Sequence, residues 1–267
     1  MSEIRRCSSS AIVTSFVFLL LAGCASNPSV GNNIETTAGS SASDNQARAR
    51  IRLQLAVGYY EQHQMEIALD EVRQALQADP EFADAYSVRG LIQMEMGDHR
   101  LAEESLLQAI KLAPNNPDFN NNYGWFLCQT GRERQSIAYF DAALKVRTYQ
   151  SPAKALNNAG VCSLKINDSA AAERYLSQAF KLEPGNLATN ENLGRLYYTS
   201  RDYPRARFYI GRLTKAEAVT PGVLWLAIKI ERKLGDQGAE ASLVTQLRRR
   251  YPNSAEYAAY QRGAFDE

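Results

Sequence analysis

The stretch GWFLCQTGRERQSIAYFDAAL, from Gly124 to Leu144, decides the fold of this chain. Its apolar residues recur at helical spacing on both sides of a turn at Thr130-Gly131, which predicts two helices joined by a short connection. Small residues at fixed positions let the two helices approach closely, and large residues fill the gap between them. The stretch therefore predicts one helical hairpin.

The same pattern recurs along most of the chain with a period of about 34 residues. Each unit has a first helix close to Leu-Gly-x-x-Tyr, a turn that often contains Gly, and a second helix with Ala, a large apolar residue and Ala at i, i+4 and i+7. This pattern resembles the tetratricopeptide repeat. We expect six units, at 49–82, 83–116, 117–150, 153–186, 187–220 and 221–254.

Stacked units of this kind form a right-handed superhelix in which the first helices line the inside and the second helices lie outside. We therefore expect an all-α fold with a short C-terminal cap at 255–267, in which Tyr257 and Tyr260 cover the last helix. The concave groove is where such arrays usually bind their partners.

Positive and apolar residues at the N-terminus have the arrangement of a targeting segment. Arg5 and Arg6 precede a run of about twelve mostly apolar residues at 11–22. This run is shorter than the roughly 20 residues that a bilayer-spanning helix needs. We therefore expect residues 1–23 to be a signal peptide and not part of the fold.

The letters LAGC, which end at Cys24, resemble a bacterial lipoprotein signal box. In this interpretation Cys24 becomes the N-terminus and carries acyl chains that anchor the protein firmly. Ala25 follows the cysteine, which by analogy with lipoprotein sorting indicates the outer membrane and hence the periplasm. The alternative is an ordinary secretory signal that happens to contain a cysteine.

Residues 24–48 are dominated by Ser, Asn, Gly, Thr and Ala and lack apolar periodicity up to about residue 46. A segment of this composition buries too little surface to offset the entropy of ordering. We expect it to be a flexible tether between the lipid anchor and the repeats.

Composition and motifs give little support to catalysis or to nucleic-acid binding. Lys and Arg number 30 and Asp and Glu 29, so the net charge of +1 offers no electrostatic attraction to nucleic acid. The two histidines, His63 and His99, lie near turns without a matching nucleophile, and no Cys/His cluster has metal-binding spacing. We expect no catalytic residue, cofactor, metal or small-molecule substrate.

In the first helix of each unit, positions 2, 5, 6, 9 and 13 share the face that looks into the groove. An amide ladder at position 6 would suit the backbone of an extended peptide, and Trp125 at position 9 would be a central anchor. The alternatives are local packing roles for the asparagines and for Trp125. The candidate groove residues are Leu91, Asn122, Trp125, Asn158, Val161, Asn192 and Arg195.

Cys128 and Cys162 remain once Cys7 and Cys24 are set aside. They occupy neighbouring first helices, and export to the periplasm would allow a disulfide between them. Such a bridge would clamp units three and four together. The alternative is two buried thiols that pack as small apolar groups.

Several runs look like more than a generic repeat. They are NNNYGWFLC at 120–128, ALNNAGVC at 155–162, DYPRAR at 202–207, LWLA at 224–227 and QLRRRYP at 246–252. Together with the signal box, they resemble the type IV pilus biogenesis and stability lipoproteins of the PilF/PilW type. The resemblance extends over nearly the whole chain after the signal peptide.

This resemblance implies a non-enzymatic, pilotin-like factor on the periplasmic face of the outer membrane. Its expected partner is the pilus secretin, whose localisation or multimerisation it would assist, or the pilus fibre, which it would stabilise. Two other functions remain open: an adaptor that recruits cell-wall enzymes, and an enzyme with an unrecognised site.

Overall fold

The structure, a computed structural model, describes residues 36–215 and 219–265. The described part of the chain is all-helical, so the predicted all-α tetratricopeptide superhelix is confirmed. The helices are α1 Thr36–Glu61, α2 Met65–Ala78, α3 Ala83–Glu95, α4 His99–Leu112, α5 Pro117–Gln129, α6 Glu133–Leu144, α7 Pro152–Lys165, α8 Ser169–Leu182, α9 Leu187–Thr199, α10 Tyr203–Leu213, α11 Pro221–Leu234, α12 Gln237–Arg250 and α13 Ala255–Arg262.

The helices form two layers within the compact unit that begins at Ala42. The first helices α3, α5, α7, α9 and α11 each contact the next first helix directly. Among the described residues, consecutive second helices make no such contacts, and each packs between two first helices. The first helices therefore form the inner layer, and a ligand in the groove would meet their exposed faces.

Four repeats are held together by the same contact between a glycine and a large side chain. Gly90, Gly124, Gly160 and Gly194 face, in order, Leu106, Phe140, Leu176 and Ile210 of the following helix. A Cβ added at Gly160 would lie 2.5 Å from the Leu176 Cγ, a separation that packed atoms do not tolerate. The glycines thus allow the helix pairs to close over fully buried side chains.

The two helices of the sixth repeat pack closely without a glycine. Ile228, which is fully buried, occupies the position of the glycines, and the smaller Val244 stands where units two to five have Leu, Phe or Ile. Volume is therefore redistributed between the two helices instead of being lost.

The helical part begins earlier than the sequence indicates. We expect a tether over 24–48, but α1 begins at Thr36, so the structure differs from this expectation over 36–48. Side chains from Ser43 to Arg48 are exposed, and packing starts at Ala49. These turns continue the packed helix toward the N-terminus, although Ser, Thr, Gly, Asp and Asn, which are weaker helix formers than Ala, dominate 36–48. The signal peptide, Cys24 and the rest of 1–35 lie outside the described residues.

The cap is the helix α13, which packs against α11 and α12. Tyr257 and Tyr260 join the apolar cluster of the last repeats, and Phe265 follows on the same side. Within the described ranges, no helix combines the length and apolar character needed to cross a membrane.

Candidate partner-binding groove

The inner face holds a central pocket of about 250 Å³. It is formed by the first helices α1, α3, α5 and α7, so it spans four repeats. Of the predicted groove residues, Leu91, Asn122, Trp125 and Asn158 meet in it. Its other lining residues are Tyr60, Met94, Glu95, Asn121 and Lys154.

Trp125 is the largest side chain of the central pocket. It is partly buried and packs against the cluster that contains Phe140, Cys128 and Cys162. Its remaining surface lines the pocket together with Leu91. One part of the ring thus packs on the core and the other part faces the pocket. Such a ring can bury an apolar side chain of a partner at little entropic cost, which is typical of anchor positions in interfaces.

A chain of hydrogen bonds between amides crosses the floor of the pocket. The Asn122 Nδ2 donates to the Ser87 hydroxyl at 3.1 Å, and the Asn121 Nδ2 donates to the Asn122 Oδ1 at 3.2 Å. The Asn158 Nδ2 then donates to the Asn121 Oδ1 at 3.1 Å. The amides thus join α3, α5 and α7, which supports the packing role that the sequence analysis left open for Asn122 and Asn158.

A second bridge of the same kind joins α7 and α9. The Asn192 Nδ2 donates to the Asn157 Oδ1 at 3.0 Å, and the Thr189 hydroxyl donates to the same oxygen at 3.2 Å. Sequence reasoning missed Asn121 and Asn157 at position 5. The signal was the pair Asn-Asn, which occurs at 121–122 and again at 157–158. The first asparagine accepts a hydrogen bond from the next first helix.

The other predicted groove residues lie outside the central pocket. Val161 is partly buried, and Asn192 takes part in the second amide bridge. Arg195 is exposed, and its guanidinium is 2.7 Å from the Glu191 carboxylate one turn away. Its charge is therefore offset within its own helix.

Cys128 and Cys162 are joined by a disulfide in the structure, with their Cα atoms 5.8 Å apart. Both residues are fully buried, and the bond links α5 to α7 beside Trp125. The Lys165 ammonium donates to the Cys128 carbonyl oxygen at 3.1 Å and adds a polar contact across the same junction. The helices that carry the amides and Trp125 are thus held at a fixed separation.

At its C-terminal end the inner face is covered by the chain itself. Trp225, at position 5 of α11, is only 9% exposed, and its ring centroid lies 5.2 Å from that of Phe265. The Arg232 guanidinium lies 3.9 Å from the Phe265 ring centroid. Phe265 therefore occupies the position that a partner side chain would otherwise take.

The titratable groups Tyr123 and Glu103 of the inner repeats have pKa values that are shifted by structural contacts. Burial raises the pKa of Tyr123 to about 12, and its hydrogen bond to Glu103 adds to the effect. The Arg132 guanidinium, 2.7 Å from the Glu103 carboxylate, holds the pKa of that carboxyl below its usual value. Among the described residues, no group of three or more His, Cys, Asp or Glu could hold a metal ion.

This chain is similar in sequence to a known repeat family and to a known pilus protein. The sequence model of the tetratricopeptide repeat matches residues 53–117, 88–155 and 163–218. The type IV pilus assembly protein PilF of Pseudomonas aeruginosa is 28% identical over 209 residues, which are 78% of this chain and 83% of PilF.

This chain matches two solved structures over nearly their full length. The crystal structure of PilW, described as a widely conserved type IV pilus biogenesis factor, has a TM-score of 0.74 and 32% identity, covering 80% of this chain and 98% of PilW. The structure of Pseudomonas aeruginosa PilF has a TM-score of 0.74 and 26% identity, covering 82% of this chain and 99% of PilF.

Proposed function

This chain belongs to the tetratricopeptide repeat family and is a homologue of the type IV pilus biogenesis proteins PilF and PilW, and on that basis we propose that it is a non-enzymatic scaffold for pilus biogenesis. The observation that carries the proposal is the correspondence with PilW along almost the whole of that protein. A shared fold alone would not support a role, whereas a match at 32% identity along 98% of PilW supports a shared one.

The proposed partner is the outer-membrane pilus secretin, whose localisation or multimerisation the array would assist. Capture would occur in the central pocket, where Trp125 and Leu91 offer apolar surface beside amides. The disulfide and the amide bridges keep this surface pre-formed, so that little ordering entropy opposes binding.

The proposed location is the periplasmic face of the outer membrane, with Cys24 as the lipid-bearing residue. The support for this location is the sequence LAGC that ends at Cys24 and the alanine that follows it. Replacing Cys24 by Ala should leave the repeats folded but release the protein from the membrane. Finding Cys24→Ala still in the outer-membrane fraction would refute the anchor.

A deletion strain tests the function itself. Loss of the protein should abolish twitching motility and surface pili, and heat-resistant secretin multimers should fall strongly in amount or fail to reach the outer membrane. A plasmid copy of the wild-type gene should restore all of these. Normal pili together with normal secretin multimers in the deletion strain would reject the proposal.

A further inference from the structure

Two charged residues of the central pocket are placed against the dipoles of their own helices. Glu95 is the last residue of α3, and Lys154 lies in the first turn of α7. The C-terminal end of a helix carries partial negative charge and the N-terminal end partial positive charge, so both residues sit where helix stability disfavours them. Helix stability therefore does not explain why these charges line the pocket.

Neither charge is neutralised by an ion pair within the described part of the chain. The ion pairs found there include neither Glu95 nor Lys154, although both line one pocket. Many other charged side chains of this protein are paired at 3.0 Å or less, for example Arg132 with Glu103 and Arg195 with Glu191. The pocket thus has a negative edge on α3 and a positive edge on α7, each formed by a side chain outside these ion pairs.

Neighbouring charges extend the two edges. Asp84 and Asp118 lie at position 2 of α3 and α5, and the pKa of Asp84 is raised first by its burial and further by the nearby Asp118. On the other side, the Lys165 ammonium donates to two neutral oxygens, those of the Cys128 backbone and the Gln129 side chain. Negative charge therefore accumulates over α3 and α5, and positive charge over α7.

The change of sign from α3 to α7 lies within repeats two to four. In repeat one, Arg50 and Glu61 occupy groove-facing positions with opposite signs. In repeat five, Glu191 offsets Arg195. The change of sign coincides with the junction that the disulfide between α5 and α7 holds rigid.

We propose that the groove receives an extended protein segment in which an apolar side chain lies between a basic and an acidic residue. The apolar side chain would pack on Trp125 and Leu91, the basic residue would face Glu95, and the acidic residue would face Lys154. This inference rests on the proposed function and specifies the chemistry of the partner segment. Opposite charges on the two edges fix the direction in which the segment lies.

Four synthetic peptides test the arrangement with the purified full chain in detergent: KKAFAEE, its reverse EEAFAKK, and the single-sign controls KKAFAKK and EEAFAEE. KKAFAEE and EEAFAKK are the mixed peptides, which carry both charge signs. One of them should bind at least about fivefold more tightly than the other and than either single-sign control. The preference should weaken at about 0.5 M NaCl, because salt screens exposed charges.

The double substitution Glu95→Lys with Lys154→Glu exchanges the two edges. It should fold at least as stably as the wild type, since each new charge suits its helix end. It should also prefer the mixed peptide that the wild type disfavours. The matched control, Asp70→Lys with Arg73→Glu, exchanges an exposed ion pair on the outer helix α2 and should leave the preference unchanged.

Three results would overturn this inference: equal binding of both mixed peptides, equal or tighter binding of a single-sign control, or an unchanged preference in the exchanged variant. Absence of measurable binding by all four peptides would also reject it. None of these results alters the outcome expected for the deletion strain. The peptide preference and the role in pilus biogenesis therefore fail independently.

Discussion

The two tryptophans of this protein lie on the same inner face but in opposite surroundings. Trp125 is partly exposed in the central pocket formed by four first helices. Trp225 is nearly buried, and Phe265, which follows α13, packs against its ring. One end of the inner face is thus closed by the chain, whereas its centre is left open.

This difference indicates how a repeat array can restrict where a partner binds. Every first helix exposes an equivalent face, so similar repeats alone would not select one position. The cap removes the C-terminal position, and the amide bridges and the disulfide hold the central one in a fixed shape. Three changes that alter stability test this difference between the centre and the C-terminal end of the inner face.

The largest effect is expected from removing the disulfide. Replacing both Cys128 and Cys162 by Ala should lower the free energy of unfolding by about 3–4 kcal/mol, because the bond closes a loop with a sequence separation of 34 residues. Chemical denaturation measures the loss. Hydrogen exchange should quicken in α5 and α7 and stay unchanged in α11 and α13.

A reducing agent provides the control for this prediction. It should destabilise the wild type and leave the double alanine variant unaffected. Mass spectrometry after thiol alkylation without reductant should find Cys128 and Cys162 unlabelled. Quantitative labelling of both residues would show that the bridge does not form.

An intermediate effect is expected at the glycine contact next to the disulfide. Gly160→Ala should cost about 1–3 kcal/mol, because the new Cβ would lie 2.5 Å from the Leu176 Cγ. Gly211→Ala in α10 is the matched control, since nothing lies within 4 Å of its added Cβ. It should leave the free energy of unfolding unchanged or raise it by less than about 1 kcal/mol. Equal destabilisation by the two substitutions would contradict the close packing at Gly160.

The smallest effect on stability is expected from opening the covered end. Phe265→Ala removes one aromatic contact to Trp225 and should cost about 1 kcal/mol. The test uses a Trp125→Phe background, where Trp225 is the only tryptophan. There, Phe265→Ala should clearly increase the quenching of Trp225 fluorescence by acrylamide. Phe208→Ala, which removes an exposed ring elsewhere, should leave the quenching unchanged. Unchanged quenching in Phe265→Ala would mean that the cap does not cover Trp225.

The sequence predicts the repeats well because each unit packs only against its neighbours. A fixed period therefore maps directly onto helix pairs, and the tetratricopeptide fold follows from one hairpin such as Gly124–Leu144. The start of α1 is harder to predict, since the exposed residues from Ser43 to Arg48 leave no apolar periodicity to detect. The exchange of large and small residues at Ile228 and Val244 likewise becomes visible only when the two helices are seen in contact.

The sequence predicts which helix face lines the groove but not the contacts within it. Helical periodicity identifies the face that carries Leu91, Asn122, Trp125 and Asn158, and the structure gathers these residues around one pocket. Periodicity cannot show that the amides bond to one another, because Asn121 and Asn157 act across helices that are distant in sequence. It also cannot show that residues near the C-terminus return to cover Trp225.

The most direct test of partner capture at the open centre compares two aromatic substitutions in the deletion strain. Trp125→Ala should fail to restore twitching and should capture at least about tenfold less of the pilus secretin, as expected for an anchor residue. Phe208→Ala, on an exposed ring outside the groove, should restore both. Circular dichroism should show that both proteins are folded. Wild-type motility and secretin capture by folded Trp125→Ala would contradict binding at the central pocket.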